Sequence, residues 1–186
     1  RISRFMRIRR RGHAVRRRGH VRGYDEVSAL TRRLYDAGIS VMIDTCGYAP
    51  YAHFQRVLPY VDGFLYDIKS ADPLAHARYT GKDNGLILEN LERLSHDGAR
   101  IILRIPLIQE VNGTPAEMKK IICFLQDKQI KASRVHLLPY HDTGMGKYRQ
   151  LGRLESPRFH APDAQQMQDF LVPFKEAGYT KIKIGG

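Results

Sequence analysis

From Tyr24 to the end of the chain, short apolar runs alternate with amphipathic stretches that end in glycine, and this alternation constrains the fold more than any other feature. Residues 25–37 carry Val27, Leu30, Leu34 and Ala37 at three- and four-residue spacing, with Gly38 as a stop, which predicts a helix. Residues 39–43 form an apolar strand that runs into Asp44-Thr45-Cys46-Gly47. The pattern continues with a short helix over 51–58, a strand over 63–68, a helix over 84–96 closed by Gly98, and a strand over 100–108. Thr114-Pro115-Ala116-Glu117 is a capping box with Pro at the first helical position, and it predicts a helix over 114–128. A strand over 134–138, a helix over 162–177 and a strand over 180–184 complete the series.

Strands followed by helices through short connections imply parallel pairing with right-handed crossovers. The strands are apolar almost throughout, as expected where both faces are covered. About five strands are too few for a closed eight-stranded barrel, and they suit part of a barrel or an open α/β sheet. The loop over 142–161 is long for a compact domain, and loops of that length are often functional.

Polar residues recur at the C-terminal ends of these strands. Asp44 and Thr45 follow the first, Asp67 and Lys69 the second, Arg104 lies in the third, and His141 and Asp142 follow the fourth. In parallel α/β folds these ends converge on the ligand-binding face. Two carboxylates, a lysine, an arginine and a histidine around one mouth suit a small zwitterion, with acids on its ammonium and cations on its carboxylate. Each residue alone has a plainer reading: Asp67 and Lys69 as a same-face salt bridge, Asp44-Thr45 as a turn or cap, Arg104 as the partner of a structural acid, His141-Asp142 as a surface pair.

Ile43-Asp44-Thr45-Cys46-Gly47-Tyr48, Tyr66-Asp67-Ile68-Lys69, Leu103-Arg104-Ile105-Pro106-Leu107-Ile108 and Leu137-Leu138-Pro139-Tyr140-His141, in that order and spacing, resemble the glycyl-radical-enzyme activating enzymes, the radical SAM proteins typified by pyruvate formate-lyase activase. The closing Lys181-Ile182-Lys183-Ile184-Gly185-Gly186 is similar to the C-terminus of their longer members. The resemblance covers residues 24–186. It implies a partial TIM-type (β/α)6 barrel, here truncated at its N-terminus. It also implies S-adenosylmethionine bound to a [4Fe-4S] cluster on a CxxxCxxC loop. The implied activity is removal of a hydrogen from a glycine of a partner glycyl radical enzyme by a 5′-deoxyadenosyl radical, with a flavodoxin or ferredoxin as electron donor. Carried over by motif, Asp67 and Lys69 contact the methionyl end of the cofactor, Arg104 and His141 line its cleft, and Asp44, Thr45 and Asp67 form a monovalent-cation site.

The departures from that family concern cysteine and the head of the chain. The CxxxCxxC loop is absent, and without thiolate ligands a chain holds no cluster and runs no radical chemistry. Only Cys46 and Cys123 are present, and both read as small hydrophobes, Cys123 inside the apolar run Ile121-Ile122-Cys123-Phe124-Leu125. The family's Gly-Gly-Glu motif is also missing, and an arginine-rich head stands in its place. The net charge of +12 is concentrated there: residues 1–23 hold ten Arg and no acid, which leaves +2 over 24–186. That near-neutral remainder argues against a nucleic-acid binder, and the alternative to an activase is a non-catalytic module that binds the partner or S-adenosylmethionine without a cluster. Reading codons for residues 9–21 one base forward permits Gly-Gly-Gly-Val-Thr-Leu-Ser-Gly-Gly-Glu-Val-Met, so the head is expected to be an out-of-frame translation without evolved structure; a genuine basic arm is the alternative. No apolar run reaches the ~18 residues of a bilayer span and no secretory signal is visible, so the cytoplasm is the expected compartment.

Overall fold

The computed structural model describes residues 9–10, 13–14, 23–141 and 159–186. In the head, strands β1 (Arg9–Arg10) and β2 (His13–Ala14) pair antiparallel; apart from Gly23, the remainder of the head, for which disorder was expected, lies outside the described residues. Helix α1 (Tyr24–Asp36) then leads into β3 (Met42–Thr45), α2 (Tyr51–Val57) and β4 (Gly63–Asp67). Next come α3 (Pro73–Thr80), α4 (Gly85–His96), β5 (Ile101–Leu107), α5 (Pro115–Asp127) and β6 (Ala132–Pro139). Two short helices, α6 (Ala164–Asp169) and α7 (Leu171–Glu176), precede β7 (Ile182–Ile184).

Strands β3 to β7 form one sheet in sequential order, and every pairing in it is parallel. Sequential parallel strands with right-handed crossovers put all connecting helices on one face. That face carries the core. Ile101, Leu103, Ile105 and Leu107 of β5 alternate inward, beside Phe64 and Tyr66 of β4 and Val135 and Leu137 of β6, under Leu91 and Leu94 of α4 and Met118, Ile121 and Leu125 of α5. The opposite face, with Ile102, Arg104 and Pro106 of β5, is only half-buried. The sheet is an open arc of five parallel strands, as expected of part of a barrel. Among the described residues no helix is long and apolar enough to cross a membrane.

Four local expectations need correction. The first strand of the sheet begins at Met42 rather than residue 39, because Val41 N–H donates to the Asp62 carboxylate and Val41 C=O accepts from Asp62 N–H instead of joining the ladder. Helix α3 was not foreseen, although Asp72-Pro73 is a good start signal: the Asp72 carboxylate accepts from the N–H groups of Leu74 and Ala75. The helix expected over 162–177 is two short helices meeting at Phe170, which keeps helical dihedrals; Pro173 has no N–H to donate to the carbonyl of Asp169, which interrupts the ladder there. Cys123 is exposed rather than buried, because the buried stripe of α5 runs through Met118, Ile121, Ile122 and Leu125 and leaves position 123 on the outer side.

Candidate functional site

Arg104 sits on the half-buried face of β5, with Asp67 of β4 as its register partner and Asp44 of β3 one strand further. Its Nε donates to Asp67 Oδ1 at 2.6 Å. Its Nη1 donates to Asp44 Oδ2 at 3.0 Å, and Nη2 donates to Asp44 Oδ1. The guanidinium thus forks bidentately onto one carboxylate and reaches the second with its remaining edge. All three side chains are largely buried. Burial opposes the charge on Arg104, but the two carboxylates outweigh it and raise the guanidinium's proton affinity. Burial pushes the Asp67 carboxyl up; Arg104, through its charge and its hydrogen bond, and Lys69 offset only part of this, and the Asp44 charge adds to the upward push.

Two carboxylates and one guanidinium leave one negative charge at the strand ends. Lys69, exposed two residues beyond Asp67, supplies a cation close enough to act on that carboxylate. The arrangement can take an ammonium on its acidic side and a carboxylate on the Lys69 side.

The other expected residues stand apart. Asp44 and Thr45 lie within β3 rather than after it, so strand alternation sends them to opposite faces. Thr45 turns toward the helices, where its Oγ1 accepts from Gly47 N–H at 2.9 Å, and the structure does not bring this hydroxyl together with Asp44 and Asp67. His141 is exposed at the rim, after Tyr140, whose N–H donates to Leu107 C=O. Asp142 lies outside the described residues. The histidine that register places beside Arg104 is the buried His136 of β6, which sequence reading missed. Among the described residues no group of three or more His, Cys, Asp or Glu side chains converges as a metal site. Cys46 and Cys123 sit on separate elements, so the chain's own thiols do not suit a three-thiolate iron–sulfur cluster.

Behind this face, buried carboxamides fix the turns. Asn90 of α4 is wholly buried, and its Nδ2 donates to both Gly47 C=O and Ala49 C=O at 2.7 Å. The signal was legible: Asn90 shares the helix stripe of Ile87, Leu91 and Leu94, where a polar side chain needs partners. Gly47 has φ +76°, and a Cβ there would lie 1.7 Å from the Tyr66 hydroxyl, which itself donates to Ile87 C=O at 2.6 Å. After β4, Asn84 Nδ2 donates to Ser70 C=O, and Asn112 Nδ2 donates to Lys69 C=O. The Glu117 of the capping box does something other than expected. Thr114 Oγ1 accepts from Glu117 N–H, but the Glu117 carboxylate accepts from Ser70 Oγ at 3.0 Å and from Lys120 Nζ at 2.6 Å.

No protein-family profile matches the chain. Its fold is that of the radical SAM enzymes. A domain of pyruvate-formate lyase-activating enzyme from Bacteroides vulgatus aligns with a TM-score of 0.74 and 26% identity, over 88% of this chain and 91% of that one. A radical SAM methyltransferase from Sphaerobacter thermophilus aligns at 0.64 with 16% identity, over 87% of this chain and 46% of that one, a likeness of fold alone. In sequence, the trans-4-hydroxy-L-proline dehydratase activating enzyme of Clostridioides difficile is 44% identical over 165 residues, 87% of this chain and 54% of that protein. The choline trimethylamine-lyase activating enzyme of Oleidesulfovibrio alaskensis is 39% identical over 62% of this chain and 38% of its own length. The chain is a relative of the glycyl-radical-enzyme activating enzymes, and it spans about half the length, or less, of these curated relatives.

Proposed function

We propose that this chain is a portion of a radical S-adenosylmethionine activase, whose whole protein removes a hydrogen from a glycine of a partner glycyl radical enzyme. The observation that carries the reading is the 44% identity to a dehydratase activating enzyme over most of the chain. The strand-end chemistry supports it. The methionyl end of S-adenosylmethionine is a zwitterion, and Lys69 suits its carboxylate while the Asp44–Arg104–Asp67 group, with its surplus negative charge, suits its ammonium. His141 lines the rim of the same cleft. A monovalent cation beside Asp44 and Asp67 would use the same surplus charge, without the Thr45 hydroxyl, which accepts from Gly47 N–H instead. Bound at a reduced cluster, S-adenosylmethionine supplies the radical chemistry; with only Cys46 and Cys123, this chain by itself does not furnish that cluster. A flavodoxin or ferredoxin donor and a cytoplasmic setting complete the reading, and trans-4-hydroxy-L-proline dehydratase is the first partner to assay.

Equilibrium dialysis of the chain against S-adenosylmethionine tests the site. Binding that weakens in Lys69→Met and Asp67→Ala supports the reading, and binding unaffected by either overturns these assignments. Anaerobic reconstitution with iron and sulfide is expected to give no cluster absorbance for the chain alone.

A further inference from the structure

The exits of β4 and β5 diverge after one last backbone rung, the bond from Ile68 N–H to Arg104 C=O at 2.9 Å. Continuing the register of Asp67 with Arg104 would set Lys69 opposite Pro106. At that point the link between the two chains is a side chain. Asn112, 2% exposed, donates from Nδ2 to Lys69 C=O at 2.6 Å and to Pro106 C=O at 2.7 Å, while its Oδ1 accepts from Ile108 N–H at 2.8 Å. Both amide hydrogens and the amide oxygen are used, so the carboxamide has one orientation and no slack. Its own loop is wound tightly: the N–H groups of Val111, Asn112 and Gly113 all donate to Ile108 C=O. Gly113 is pressed against this turn, and a Cβ there would lie 2.8 Å from Gln109 Cα. The next carbonyl along β4's exit, Ser70, is held by the buried Asn84 at 2.9 Å.

We propose that Asn112 is a positioning residue: it replaces the missing ladder rung and thereby fixes Lys69 relative to Asp67 and Arg104, which sets the spacing between the cationic and acidic sides of the cofactor site. The role of Lys69 in this inference rests on the reading given under Proposed function; the clamp itself does not. Asn112 touches no ligand and acts through the Lys69 main chain. A hydroxyl too short to reach both carbonyls, or a carboxylate that has lost both donors, releases it.

Two measurements test this on the full chain. Hydrogen exchange compares peptides covering 68–72 and 107–113 in the wild type and in Asn112→Ser, with Asn112→Asp as the substitute should the serine variant fail to fold. Faster exchange confined to these peptides, with the rest of the sheet still protected, is expected; unchanged exchange overturns the clamp. Equilibrium dialysis then compares S-adenosylmethionine with 5′-methylthioadenosine, which lacks the methionyl carboxylate and ammonium. Asn112→Ser is expected to weaken S-adenosylmethionine about tenfold, as does Lys69→Met, and to leave methylthioadenosine unchanged. In the Lys69→Met background Asn112→Ser is expected to cost nothing further. A full additional loss in the double variant overturns action through Lys69. A wild type that binds neither probe defeats the functional reading, and the exchange data still decide the clamp.

Discussion

Arg104 and Asp67 are register partners on adjacent parallel strands, and the guanidinium Nε of one donates to the carboxylate of the other at 2.6 Å. With Asp44 on the fork, the pair becomes a largely buried triad in which one cation is shared by two acids across three strands. Arg104→Met leaves two largely buried carboxylates without their shared guanidinium and is expected to cost about 3–5 kcal/mol in urea unfolding. The triple change Asp44→Asn, Asp67→Asn, Arg104→Met is expected to recover most of that loss. A triple variant as unstable as the single one would contradict the ion-pair account.

Gly47→Ala meets both a left-handed backbone and the Tyr66 hydroxyl, whereas Gly38→Ala, at φ +67°, meets nothing within 4 Å. The backbone cost alone is about 1–3 kcal/mol for either. The melting temperature of Gly47→Ala is therefore expected to fall well below that of Gly38→Ala, and the difference reports how firmly Tyr66 is seated under the turn. Equal melting temperatures would mean that Tyr66 yields freely.

The Asp72 carboxyl is drawn down to about 2 by the hydrogen bond from Lys120 and by those from the N–H groups of Ala75 and Leu74. A carboxyl lowered in the folded state stabilises the fold above its ordinary value of 3.8, and that contribution is lost as pH falls toward 2. Asp72→Asn keeps a side-chain cap for α3 and removes the titration. Its melting temperature is expected to fall less steeply than the wild type's between these pH values. Asp67, pushed up by burial, acts with the opposite sign, but both proteins share it, so it cancels in the comparison.

Thiol labelling with a chromogenic disulfide is expected to give one fast group, Cys123 on the outer side of α5, and one slow group, the half-buried Cys46 at the end of β3. Cys123→Ser is expected to abolish the fast phase. Two fast thiols would mean that the β3 turn opens readily.

The order and type of the main elements were legible because strands with both faces covered read as apolar runs and helices as glycine-closed stripes. Asp44, Asp67 and Arg104 were legible as a group because parallel strands share one functional end. What the sequence concealed follows from quantities smaller than an element. A boundary two or three residues out moved Asp44 and Thr45 from a loop into a strand and put them on opposite faces. His136 was hidden because cross-strand register is not written in one strand's pattern. Asn112 was missed, since Val111-Asn112-Gly113 signals a turn whether or not the carboxamide reaches a neighbouring strand.

The triad also has a temporal meaning. Its bonds join residues 37 and 60 positions apart, so no single strand–helix unit contains enough of the chain to make them. Closing such spans is slow and entropically opposed until β3, β4 and β5 have docked side by side. The cleft therefore has no existence before those three strands have paired: until then the chain presents its acids and its arginine as separate hydrated charges, and the capacity to recognise a ligand belongs to the assembled strands rather than to any one of them.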